Sequence, residues 1–125
     1  MAAGDRPLVL VAEDDPDILE LIVACLRSIN CEVARAQDGH AAHALARSVR
    51  PQVAVLDIRM PGLDGLELTR RLKTDADTRS IAVLVLTASV DGNQPQRALA
   101  AGADSYLAKP FTAAALRDTV ARLLA

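Results

Sequence analysis

Three stretches of the chain are apolar without interruption: Leu8–Ala12, residues 53–56 and residues 81–86. Short runs with no polar alternation suit strands that are buried on both faces. Between them the period changes. Pro16 and Asp17 open a stretch in which Ile18, Leu19, Ile22, Cys25, Leu26 and Ile29 fall at helical spacing, with Asn30 as its stop. Glu32–Ala36 reads as a short strand with a weak signal. Gly39–Val49 is Ala-rich and helical, with Ala42, Leu45, Ala46 and Val49 on one face, and Pro51 separates it from the next apolar run. Met60-Pro61-Gly62 and Asp64-Gly65 break the chain into a loop, after which Leu66, Leu68 and Leu72 mark a helix that gives way at residues 74–79. A polar connection at residues 91–94 leads into a small helix around 95–101 that Gly102 can close. Ser105–Ala108 is a short last strand, and Thr112 caps a final helix whose apolar face is Leu116, Val120, Leu123 and Leu124.

Strands and helices thus alternate five times, which predicts a doubly wound α/β fold: a five-stranded parallel sheet covered on both faces, in three layers. The 125 residues fit a single domain, 1–125, with no repeat, linker or low-complexity tract. With 51% hydrophobic residues but one Phe, one Tyr and no Trp, the core has to be aliphatic.

Charge narrows the functional classes. Fourteen basic residues face sixteen acidic ones, so no basic field calls for nucleic acid or a membrane surface. Cys25 and Cys31 have no metal spacing and are expected as reduced thiols. The first residues lack the apolar core of a signal peptide, and no apolar run approaches the roughly 18 residues of a membrane span. The expected location is the cytoplasm.

Polar residues collect where the predicted strands end. The first strand is followed by Glu13, Asp14 and Asp15, the third ends in Asp57, the fourth in Thr87, and the fifth is followed by Lys109. In a parallel sheet these ends share one edge, where open α/β sheets place their ligands. Clustered carboxylates repel one another unless a cation intervenes, and an all-oxygen set suits a hard divalent ion such as Mg2+. A hydroxyl, an ammonium and a metal around one carboxylate make a site for a phosphoryl group on that carboxylate.

Residues 8–16 (LVLVAEDDP), 53–65 (VAVLDIRMPGLDG), 84–89 (LVLTAS) and 102–111 (GADSYLAKPF) resemble the four signature stretches of response-regulator receiver domains, and the similarity covers essentially the whole chain. The resemblance implies the flavodoxin-like strand order 2-1-3-4-5, Asp57 as phosphoacceptor, and Mg2+ held by Glu13, Asp14, Asp57 and the backbone carbonyl of Arg59. It further implies Thr87 as switch hydroxyl, Lys109 as phosphate-binding ammonium, Tyr106 as aromatic switch, and a cis peptide before Pro110. Glu13 stands where Asp is commoner in the family; its longer arm could reach the metal through water. Arg59 and Ser89 lie two residues past Asp57 and Thr87, placing both to overlook the phosphoryl group and modulate its lifetime. His40 and His43 fall on the second helix and read as surface histidines away from the site.

The function so implied is a phosphoacceptor of a two-component or phosphorelay system. A sensor histidine kinase or histidine phosphotransfer protein would phosphorylate Asp57, and residues 95–124 would present the result to an output partner, with phosphorylation-linked dimerisation left open. Enzymatic activity would be confined to self-phosphorylation and autodephosphorylation. Two other classes compete. An aspartyl phosphohydrolase similar to the haloacid dehalogenase class expects a second Asp two residues after the nucleophile, where this chain has Arg59. A phosphorylation-independent receiver-like interaction module would not need the full set of Glu13, Asp14, Asp57, Thr87 and Lys109. No DNA-binding segment follows the last helix, so direct nucleic-acid binding is not expected; the sequence fits a stand-alone regulator or a receiver cut from a larger protein.

Overall fold

The computed structural model describes residues 6–88 and 93–125. The strands are β1 (Leu8–Ala12), β2 (Glu32–Ala36), β3 (Val53–Asp57), β4 (Ala82–Thr87) and β5 (Ser105–Ala108). They form one parallel sheet in the order β2-β1-β3-β4-β5. The α-helices between and after them are α1 (Pro16–Leu26), α2 (Gly39–Val49), α3 (Gly65–Thr74), α4 (Gln94–Ala100) and α5 (Ala113–Leu124). This is the predicted fold.

The uninterrupted strands are apolar because both of their faces are covered. Along β1 and β3, Leu10, Ala12, Ala54 and Leu56 face the layer of α2, α3 and α4, whose Ala42, Leu68, Leu72 and Ala98 complete that core. Val9, Val11, Val53 and Val55 point the other way, onto α1 and α5 through Leu19, Ile22, Leu26, Leu116 and Val120. Each fully buried Leu or Val contributes about 1.5–3 kcal/mol of transfer free energy. β2 and β5 lie at the edges and are only partly covered, which is why their hydrophobic signal is weak.

Polar residues set the helix boundaries. Asp15 accepts from the amides of Asp17 and Ile18 at the start of α1, with Pro16 in the first turn. Asp38, Asp64 and Thr112 cap α2, α3 and α5 through the amides of Ala41, Glu67 and Ala115. After α4, Gly102 at φ +106 donates to the carbonyl of Leu99, and Ala103 donates to Ala98, a Schellman closure.

Boundaries differ from the periodicity at α4, which takes in Gln94 and ends at Ala100, and more tellingly at α1 and β4. The helix expected to run to Ile29 tightens into a 3-10 turn, Arg27–Ile29, before Asn30 takes a left-handed φ of 56° and ends it. The fourth strand runs one residue later than its apolar run at both ends. Thr87 belongs to it because its carbonyl accepts from the Lys109 amide, 2.9 Å away.

Candidate functional site

Register brings the polar strand ends together. β1 and β3 pair up to Ala12 and Leu56, so Glu13 and Asp57 follow side by side. On the other flank Asp57 pairs with Leu86, and Thr87 with Ala108. The backbone ladder continues past the strands: Glu13 donates to the Ala36 carbonyl (3.0 Å) and Ile58 to Leu86 (3.1 Å). α3 begins immediately above, where Gly65 donates to Ile58 at 3.1 Å and approaches so closely that any Cβ would collide with the Asp57 carbonyl.

Three carboxylates meet here. One oxygen each from Glu13, Asp14 and Asp57 lies within 4.8 Å of the others. Glu13 and Asp57 are buried, at 1% and 4% exposure, whereas Asp14 is exposed. Lys109 reaches in from the end of β5, its ammonium 2.7 Å from Asp57 Oδ2 and 3.3 Å from Glu13 Oε1. Asp57 Oδ1 accepts from the Arg59 amide at 3.2 Å, and Glu13 Oε2 from the Asp15 amide at 3.0 Å. Two buried carboxylates with one ammonium leave an excess of negative charge. Burial, reinforced by the hydrogen-bonded Asp57, pushes the Glu13 carboxyl up to about 7. For Lys109, burial opposes the charged form, but Asp57 and then Glu13 outweigh it and raise the ammonium above the ordinary lysine value.

The donor set is all oxygen, its excess charge is negative, and two members are prealigned by backbone hydrogen bonds. It therefore fits a hard divalent cation, whose charge would offset the burial and the neighbouring carboxylate that raise Glu13. Asp15 is not part of the cluster expected at the first strand's end: its carboxylate is used as the cap of α1.

Thr87 is fully buried, and its hydroxyl donates to the Leu107 carbonyl at 3.4 Å, well beyond the usual 2.7–2.8 Å for such bonds. Tyr106, on the edge strand β5, is 39% exposed. The Lys109–Pro110 peptide is cis, as the resemblance implied. Ser89 lies outside the described residues. His43 is half-buried, contrary to the surface reading; burial and the neighbouring Arg71 and Arg47 lower its pKa. His40 is exposed, in line with the surface reading, and the Cδ2–Nε2 edge of its ring lies near Gly62 of the loop that follows β3. An open groove of about 490 Å3 between the starts of α1 and α2, lined by Pro16, Leu19, Glu20, Arg35, Ala36 and Asp38 among others, contains none of the three carboxylates.

The family model of the response regulator receiver domain matches residues 9–121. The phosphate regulon transcriptional regulatory protein PhoB of Pseudomonas aeruginosa is 37% identical over 117 residues, covering 94% of this chain and 50% of the relative. A putative response regulator from Chloroflexus aurantiacus superposes with a TM-score of 0.91 at 32% identity, over 96% of this chain and 98% of that one. The receiver domain of a Pseudomonas aeruginosa sensor histidine kinase, with a magnesium ion coordinated in its active-site cleft, gives 0.86 at 33% identity, over 95% and 98%. The chain belongs to the response-regulator receiver domain family of two-component systems. It spans about half the length of the curated relatives it matches. Among the described residues, no helix is long and apolar enough to cross a membrane.

Proposed function

We propose that this receiver domain accepts a phosphoryl group on Asp57, from a sensor histidine kinase, a histidine phosphotransfer protein or a small acyl phosphate, and thereby changes what it binds. The observation that carries the reading is the contact of Lys109 with Asp57 at 2.7 Å beside a three-carboxylate cluster. One Asp57 oxygen would form the new bond to phosphorus as the donor's bond breaks, the leaving group keeping the electron pair. Lys109 would move from neutralising the free carboxylate to neutralising the transferred oxygens. The Arg59 amide, already on Oδ1, holds the carboxylate in one orientation during attack. Mg2+, held by Glu13, Asp14, Asp57 and the Arg59 carbonyl, would supply charge stabilisation to the phosphoryl oxygens.

The new group brings charge of roughly −1.5 to −2. Thr87, weakly tied to Leu107, would turn its hydroxyl toward that charge, and Tyr106 would follow into the space released. The segment 95–124 would then carry the change to an output partner or a second copy of the domain. Arg59, exposed two residues from Asp57, would slow hydrolysis by screening the phosphoryl group from water; a shorter half-life in Arg59→Ala than in the parent is the expected sign. No other activity is assigned to the domain, whose single-domain span is taken as 1–125. Incubation with radiolabelled acetyl phosphate tests the reading. Label should require Mg2+ and be released by hydroxylamine, as an acyl phosphate is. An unlabelled parent would favour a phosphorylation-independent interaction module.

A further inference from the structure

The loop between β3 and α3 carries Arg59, and its shape fixes where that residue stands relative to Asp57. From below, the loop is anchored by Ile58, Met60 and Leu63, all buried in the core on the α2–α3–α4 side. From above, two residues of α2 press on it. Gly39 approaches so closely that any Cβ would collide with the Leu63 carbonyl. The next residue, His40, is exposed on its outer side and brings the Cδ2–Nε2 edge of its ring against Gly62. That glycine has a φ of +77°, and a Cβ there would stand 2.8 Å from His40 Cδ2 and 3.3 Å from Nε2. The loop is thus gripped between its own buried side chains and the first turn of α2, which Asp38 pins by its cap on Ala41. Gly62 supplies the left-handed backbone, and its lack of a Cβ leaves room for the edge of the ring.

We propose that His40 is a positioning residue for the phosphorylation site: its ring, seated on Gly62, holds the β3–α3 loop in the shape that sets Arg59 beside Asp57. The proposal rests on the reading of Asp57 as phosphoacceptor for its consequence, but not for its structural content. The ring acts by filling the space beside Gly62, so an aromatic ring without titratable nitrogens should serve in its place. A small side chain should not, because it leaves Gly62 uncovered and the loop held from one side only. The amides of Arg59, Met60, Gly62 and Leu63 should then open more often, and a metal ligand supplied by the Arg59 backbone should be less well placed.

The test compares the parent, His40→Ala and His40→Phe in two measurements. Amide hydrogen exchange without metal should be several-fold faster at Arg59, Met60, Gly62 and Leu63 in His40→Ala, return toward the parent rate in His40→Phe, and stay unchanged in β4 for all three. Calorimetric Mg2+ titration should show affinity lowered several-fold in His40→Ala and restored in His40→Phe. Loop exchange that is unaffected by His40→Ala, or equally fast in His40→Phe, would overturn the proposal, since the buried anchors would then suffice. Altered exchange in a domain whose Asp57 takes no phosphoryl group would leave the clamp standing and remove the phosphoacceptor reading alone.

Discussion

Glu13 and Asp57 are buried side by side, and the one partly exposed ammonium of Lys109 serves both carboxylates. The cost falls on Glu13, whose carboxyl is raised from an ordinary 4.5 to about 7. In that window the folded protein binds a proton that the unfolded chain releases. Without metal, Glu13 therefore favours folding less and less as pH rises from 4.5, and the full penalty is present above 7. Glu13→Gln removes the titration. At pH 8 without metal its melting temperature should exceed the parent's by a few degrees, and at pH 5 the two should nearly coincide. Added Mg2+ should stabilise the parent at pH 8 and the variant much less. Scanning calorimetry at both pH values checks this; a variant less stable than the parent at pH 8 would show that the buried Glu13 carboxylate carries no penalty in the metal-free site.

The elements deliver these residues through a division of labour among neighbouring aspartates. Asp14 and Asp57 contribute to the cluster, while Asp15, Asp38 and Asp64 cap helices. Asp15→Ala should cost about 1 kcal/mol of stability, the usual value of a lost cap, while leaving Mg2+ affinity close to the parent's. Denaturant melts and calorimetric titration separate the two effects; a large loss of metal affinity would return Asp15 to the site. Sequence adjacency could not make this distinction, because three consecutive acidic residues look alike until the helix axis is known. The strands were legible for the opposite reason: β1, β3 and β4 are covered on both faces, so their apolar runs are unbroken and lead straight to Glu13, Asp57 and Thr87. The tightening of α1 into a 3-10 turn escaped periodicity, since residues 27–29 continue a helical spacing. The seating of His40 on Gly62 escaped it as well, being a contact between elements 22 residues apart.

Across the molecule, the site and the proposed readout segment are joined through β4 and β5. Their link at the carboxyl edge includes the long Thr87–Leu107 hydrogen bond and the shorter Lys109–Thr87 backbone bond. Under the proposed switch, converting the domain from about 1:99 to 99:1 would need about 5.5 kcal/mol of differential stabilisation, which a phosphoryl group on Asp57, hydrogen-bonded to Lys109 and Thr87, would largely supply. The chain has one Tyr and no Trp, so its intrinsic emission reports Tyr106 alone. Phosphorylation should change that emission in the parent, whereas Thr87→Ala should still accept the phosphoryl group and lose most of the change. An equal change in both proteins would separate Thr87 from the switch.

All of this depends on covalent capture at Asp57, and intact mass tests that most directly. The parent and Asp57→Ala are incubated with acetyl phosphate, with and without Mg2+. The parent should gain about 80 Da, one phosphoryl group, only when Mg2+ is present, and Asp57→Ala should gain nothing. A parent that keeps its mass, or a variant that gains the same mass, would contradict the assignment of Asp57 and the roles drawn for Lys109 and Thr87 around it.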